Sequence, residues 1–142
     1  MSFQEKFKAN KKINYFFVIQ WILLSAIIFY LSHQNTLDFI PKSILTYDKI
    51  LHFLAYFVYG LSTLSMLICI KKKDKGLVVS GFILSLFFAI SDEIHQFFVP
   101  NRMMDIGDLI ADLLGIFFSV IFFNLILKNL LLSIIKIGKT KD

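Results

Sequence analysis

Four long apolar runs constrain this chain of 142 residues more than any other feature. They cover residues 13–31, 50–70, 76–91 and 106–127. About 20 apolar residues of helix cross the hydrocarbon core of a bilayer. Three runs meet that length, and the third meets it when it continues through residues 92–98. Composition agrees: 57% of residues are hydrophobic and 18% charged, with a mean hydropathy of +0.72. A soluble domain this small has too little interior for so much apolar surface. The sequence predicts an all-α integral membrane protein. It is one domain over 1–142, with transmembrane helices at about 13–31, 50–70, 76–98 and 106–127, short loops and a basic tail at 128–142. A single cysteine, Cys69, excludes an internal disulfide and a cysteine-cluster zinc site.

The net charge of +5 would suggest nucleic acid in a soluble protein, but the charge is segregated. Twelve of the 15 basic residues lie before the first run, between the second and third, or after the fourth. They are Lys6, Lys8, Lys11, Lys12, Lys71, Lys72, Lys73, Lys75, Lys128, Lys136, Lys139 and Lys141. Only Lys42, Lys49 and Arg102 lie in the other two connections. Basic residues stay cytoplasmic, so both termini and the middle loop are expected inside. Seven of the ten acids, among them Asp38, Asp48 and Asp105, fall toward the opposite side. The basic balance is thus an orientation signal, and no nucleic-acid partner is expected. Lysines ahead of an apolar run also mimic a signal peptide. The run is long for that role, and Ser32-His33-Gln34 is no cleavage site, so an uncleaved first helix is expected.

The polar residues within the runs carry the functional information. Asp48, His52 and Tyr56 are four apart and share one helix face. Asp105, Asp108, Asp112, Gly115 and Ser119 follow spacings of three and four and share another. On the third helix Asp92, His95 and Gln96 share a face, as do Glu93 and Gln96. At about 1.5 Å per residue, His52, Asp92 and Asp112 lie roughly 24–28 Å from the inner lysines. Three helices therefore deliver ionisable groups to one level in the outer part of the membrane. Such groups are costly there and face the bundle or a wet cavity. Each has a plainer account: Asp48 as a helix N-terminus, His52 as an interhelical hydrogen-bonder, and Asp92-Glu93 as the end of a span. Asp112 is hardest to dismiss, and it is either protonated or paired with His52, Lys49 or Arg102.

Several motifs fail. Asp92-Glu93-Ile94-His95 spells a helicase box, but no phosphate-binding loop accompanies it. There is no H-E-x-x-H, no G-x-S-x-G and no G-x-x-x-G. A metal site from His52, His95 and two carboxylates is conceivable but lacks diagnostic spacing. The sequence assigns no metal and no cofactor.

Three blocks resemble the VanZ-like family of small bacterial membrane proteins. They are Asp48-Lys49-x-x-His52-Phe53-x-x-Tyr56, Asp92-Glu93-x-His95-Gln96-x-Phe98-Val99-Pro100-x-Arg102, and Asp105-Ile106-x-Asp108-Leu109-x-Ala111 followed by Gly115. Ser32-x-Gln34 precedes them. Asn101 and Ser119 stand where the family commonly has Gly, and Asp112 where it has Asn. The usual Asn favours a neutral Asp112, so Asp112→Asn is expected to be tolerated. The resemblance implies a four-helix protein of the bacterial cytoplasmic membrane. It also implies a link to teicoplanin resistance, the setting of the family's founding member.

Two functions follow. The first is a cell-envelope protein binding a polar or anionic head group of a membrane lipid, a lipid-linked cell-wall precursor or a lipoglycopeptide at an outer-leaflet site. Its residues are Asp48, Lys49, His52, Tyr56, Asp92, Glu93, Gln96, Arg102, Asp108 and Asp112. Arg102, Lys49 and His52 would supply donors. The second is an enzyme acting on such a lipid, with His52 or Glu93 as general base and Asp92 or Asp112 orienting it. A proton-linked carrier has the buried acids in its favour, but few helices and no repeat.

Overall fold

The structure, a computed structural model, describes residues 11–34, 48–70, 76–100, 102–127 and 129–130. Within them lie four helices and no strand: α1 (Lys11–Ser32), α2 (Asp48–Ile70), α3 (Leu77–Phe97) and α4 (Ile106–Phe122). A wider π-type turn over Phe123–Leu127 prolongs α4. All four segments are long and apolar enough to cross a membrane. The third helix does run on through Asp92 and Glu93, as its length requires. Lys6, Lys8, Asp38, Lys42, Lys71, Lys72, Lys73, Lys75, Asn101, Lys128, Lys136, Lys139, Lys141 and the rest of the tail lie outside the described residues.

Helix ends are set by local chemistry. Gly76 precedes α3 with φ of 80°, a left-handed conformation that costs other residues about 1–2 kcal/mol. Asp105 caps α4 by accepting from Gly107 N–H at 2.7 Å. Phe98 and Val99 N–H bond back to His95 and Gln96 carbonyls at 2.9 and 3.0 Å, closing α3 before Pro100.

The helices run up and down in turn, and α2 is central. It packs against α1, α3 and most extensively α4. In its most apolar stretch 61% of residues are buried, against 11% in α1, so α1 is peripheral. One apolar cluster, including Leu64, Ile68, Leu77 and Phe123, fills the end where α2 and α4 finish. A second, with Ile28, Tyr56, Tyr59, Ala89 and Ile116, fills the middle. Tyr59 stacks on Phe88 at 4.4 Å between centroids, and Trp21 Nε1 donates to Thr63 Oγ1 at 3.0 Å, fastening α1 to α2.

The α2–α4 contact is close because its facing positions are small. A Cβ on Gly115 would strike the Phe53 carbonyl oxygen and lie 2.8 Å from Phe57 N. A Cβ on Gly60 would strike Ser119 Oγ. Gly115-x-x-x-Ser119 on α4 opposite Gly60 on α2 is thus a small-residue seam of the kind that draws membrane helices together. The sequence shows no G-x-x-x-G because the seam is shared between two helices. Its effect is to fix the first turns of α2 against those of α4, where the ionisable residues lie.

Candidate functional site

Beyond the middle cluster, where α2 and α4 begin and α3 ends, four carboxylates are buried: Asp92, Glu93, Asp108 and Asp112. Each comes from the apolar runs singled out above, and each faces inward. His52 on α2 stands among them with its side chain 11% exposed. Its Nδ1 shares a 3.0 Å hydrogen bond with Asp112 Oδ1 and lies 4.0 Å from Glu93 Oε1. Its Nε2 faces Asp108 Oδ2 at 3.9 Å. One imidazole thus joins acids from two other helices.

The other predicted residues divide into two groups. Lys49 bonds Asp105 Oδ2 at 2.8 Å and Asp108 Oδ1 at 3.0 Å, tying α2 to the start of α4. It is spoken for by these acids and does not approach Asp112. Asp105 lies outside the spans, and Lys49 beside it holds its carboxyl below the ordinary value. Glu93 Oε2 accepts from the Asp105 backbone N–H at 3.2 Å, which joins α3 to the same corner.

Tyr56 donates to Asp92 Oδ2 at 3.1 Å. These two, with Asp48, His52, Gln96 and Arg102, form the polar part of a cavity of about 220 Å³ between α1, α2 and α3. Ile28, Leu31, Leu51 and Ala55 form its apolar part, and Ser32 completes it. Among the described residues Arg102 forms no ion pair, and it borders this cavity half-buried. Asp48 is exposed at its edge.

The structure separates two residues that the sequence allowed to meet. His95 is not beside His52. It stacks on Phe29 at 4.2 Å between centroids, and its Nε2 shares a 3.2 Å hydrogen bond with His33 Nδ1. The conceivable metal site using both His52 and His95 is therefore corrected: His95 fastens α3 to α1 instead. The orienting acids also sort themselves, since Asp112 contacts His52 while Asp92 contacts Tyr56. Of the three partners considered for Asp112, the structure brings His52 to it. Ser32 joins the cavity although the sequence marks it only as part of Ser32-x-Gln34 ahead of the blocks. His33 gave no signal, because its role depends on α1 lying beside α3.

The VanZ/LLP1 family model matches residues 1–128, which include all three blocks. This chain belongs to the VanZ/LLP1 family. No curated protein and no solved structure matches it. In this VanZ-like protein the three blocks are one place: block one supplies His52 and Tyr56, block two Asp92 and Glu93, and block three Asp108 and Asp112. Their separation along the chain follows from the alternating helix directions, which return α2, α3 and α4 to the same end of the bundle.

Proposed function

We propose that this VanZ-like protein binds the polar head group of a membrane lipid in the cavity between α1, α2 and α3. The observation that carries the proposal is the division of that cavity. Ile28, Leu31, Leu51 and Ala55 offer an apolar wall, while His52, Asp92, Gln96 and Arg102 offer polar groups in the same space. A lipid has the same division, with an acyl chain on one side and a head group on the other. Arg102 suits a phosphate or carboxylate. Asp48 and Asp92 suit hydroxyl or amine donors. Lys49 is engaged by Asp105 and Asp108, so a purely anionic head group finds fewer cations than the sequence promised. A phosphate-bearing group that also carries donors fits better.

Size narrows the candidates. Ligand pockets are usually about 300–1,000 Å³, so about 220 Å³ takes a head group or part of one and not a whole glycopeptide. The segregated lysines support cytoplasmic termini in a bacterial cell membrane, with the cavity toward the outer leaflet. There a lipid-linked cell-wall precursor, or the anchor of a lipoglycopeptide, is the ligand class within reach. Teicoplanin-type resistance would follow from holding either one away from its usual partner.

One observation favours a second reading, an enzyme acting on the same lipid. His52 borders the cavity with Asp112 behind it at 3.0 Å, the arrangement of a general base and its orienting acid. Native mass spectrometry of the detergent-extracted protein, before and after adding a purified lipid precursor, separates the two. Saturable retention without consumption supports the binder, and consumption supports the enzyme. His52→Ala and Arg102→Met should lose the retained lipid while membrane abundance stays near wild type. A protein that retains no lipid and takes up none would refute both.

A further inference from the structure

His52 of α2, Glu93 of α3 and Asp112 of α4 each direct one ligand-capable atom to a common centre, all within 4.8 Å of one another. From His52 Nδ1 the separations are 3.0 Å to Asp112 Oδ1 and 4.0 Å to Glu93 Oε1. Ligands at about 2.0–2.2 Å from a tetrahedral ion lie about 3.3–3.6 Å apart. The two separations bracket that value, so small side-chain shifts would seat an ion.

Spacing is not the only sign. Glu93 Oε1 faces His52 and is buried with no hydrogen-bond partner; Asp112 Oδ2 and, outside the trio, Asp92 Oδ1 are likewise unpartnered. Glu93 and Asp112 are 0% exposed. A buried carboxylate oxygen left without a partner is costly. Glu93 Oε1 is aimed at the centre, because its other oxygen is held from behind by the Asp105 N–H. His52 Nε2 faces Asp108 Oδ2 at 3.9 Å, beyond hydrogen-bond reach, and Lys49 holds Asp108 at 3.0 Å. At that distance Asp108 acts by its charge, which favours a cation beside the imidazole.

We infer that His52 Nδ1, Glu93 and Asp112 bind one divalent transition-metal ion, of the class zinc, manganese or ferrous iron. An imidazole with carboxylates suits these ions, whereas magnesium and calcium take sets of oxygens. Two carboxylates cancel the ion's charge, which lowers the cost of keeping all three in the bundle. A second trio, Asp48, His52 and Asp108, lies on the other side of the ring. There Asp48 is exposed and Asp108 is engaged by Lys49, so the buried trio is the better site. Three protein ligands leave a position open, and His52 also borders the cavity. An ion here would meet a phosphate-bearing head group, but its binding does not depend on one.

The test uses full-length wild-type protein in detergent, stripped with a chelator and then equilibrated with zinc or manganese alone. Bound metal is counted by elemental mass spectrometry, and melting is followed with and without the ion. One ion per chain and a higher melting temperature are expected. Asp108→Asn removes only a nearby charge and should lower affinity less than about tenfold, and Glu93→Gln and Asp112→Asn, which each remove a ligand, should lower it further. Ser85→Ala removes a buried hydroxyl outside the trio and the cavity and should leave affinity within a few-fold. No bound ion and no melting shift in the wild type would overturn the inference, whatever the variants do. Equal uptake by wild type, Glu93→Gln and Asp112→Asn would also overturn it. Retained lipid is measured in the same sample. Metal uptake without lipid supports this site and counts against the head-group reading; lipid without metal overturns this site alone.

Discussion

Gly115→Ala tests whether the small-residue seam positions the site. The new Cβ would lie 2.8 Å from Phe57 N, where ordinary contact begins at 3.4 Å, and closer still to the Phe53 carbonyl oxygen. Both are backbone atoms of a central helix and cannot turn aside. Helices α2 and α4 must therefore separate by at least about 0.6 Å. Overpacking of this kind costs typically 1–3 kcal/mol, and rigid neighbours place it at the upper end. Alanine regains about 1 kcal/mol of helix propensity, leaving a net loss of about 1–2 kcal/mol. At this chain length that lowers the melting temperature by roughly 4–8 °C. The same shift would stretch the 3.0 Å His52–Asp112 contact to about 3.6 Å, where it ceases to be a hydrogen bond. Retained lipid or metal should fall with it. Gly81→Ala is the control. Its Cβ would meet Leu64 Cδ2 at 2.5 Å, a side-chain end rather than backbone, so a rotamer shift of about 0.5–1.5 kcal/mol within the core relieves the crowding and propensity largely offsets it. Melting and ligand retention are measured for both in one detergent. Equal melting temperatures for Gly115→Ala and Gly81→Ala would refute the seam.

Three further predictions follow from the charges. Reporter fusions after Lys75 and at the C-terminus should read cytoplasmic and fusions at Asn35 and Asn101 extracytoplasmic; a cytoplasmic signal at Asn101 would reverse the outer-leaflet assignment. Asp112→Asn keeps an acceptor for His52 and should cost about 1–2 kcal/mol, the margin between charged and neutral hydrogen bonds, whereas Asp112→Leu strands the imidazole and should cost about 3–5 kcal/mol. Wild-type melting in Asp112→Asn would show that Asp112 is neutral. Because the folded value of Asp105 is depressed, its pairing with Lys49 is complete above the ordinary carboxylate value near pH 4 and is lost as pH falls through the lower, folded one; Lys49→Met should raise the Asp105 titration seen by NMR toward the ordinary range, and an unmoved titration would show that Lys49 is not the cause.

The spans, and the level at which the candidate site residues gather, were legible because both rest on local rules. Length and apolarity define a span, and a spacing of three or four places Asp105, Asp108 and Asp112 on one face. Helix rise then brings His52, Asp92 and Asp112 to one level. Pairing was not legible, since it depends on which helices touch. Rise per residue cannot say that Asp112 meets His52 while Asp92 meets Tyr56, because both acids lie at nearly the same depth. That choice follows from α2 lying against α4 along the Gly115–Ser119 seam, which turns the His52 face toward α4 and leaves Tyr56 nearer α3. His95 misled for the same reason. It shares a helix face with Asp92, yet the position of α1 draws it to His33 and Phe29.

Stability alone does not account for the buried acids. The apolar clusters, the glycine seam and the Trp21–Thr63 contact already hold the four helices together. Replacing a buried ionic group with well-packed apolar residues is often neutral or stabilising, so nothing in the packing asks for Asp92, Glu93, Asp108 and Asp112. Ser62 and Ser85 also have hydroxyls without partners among the described residues. A hydroxyl is neutral and rotates, so its cost is small beside that of an ionised carboxylate. Asp92, Glu93 and Asp112 differ in kind: each has one oxygen held within the bundle and one oxygen left over. Protons could neutralise them, but protons would not require the backing of Glu93 by Asp105 or the placement of Asp108 behind His52. The metal ion proposed above would take several of these oxygens and one imidazole nitrogen at once, and so would account for their burial together.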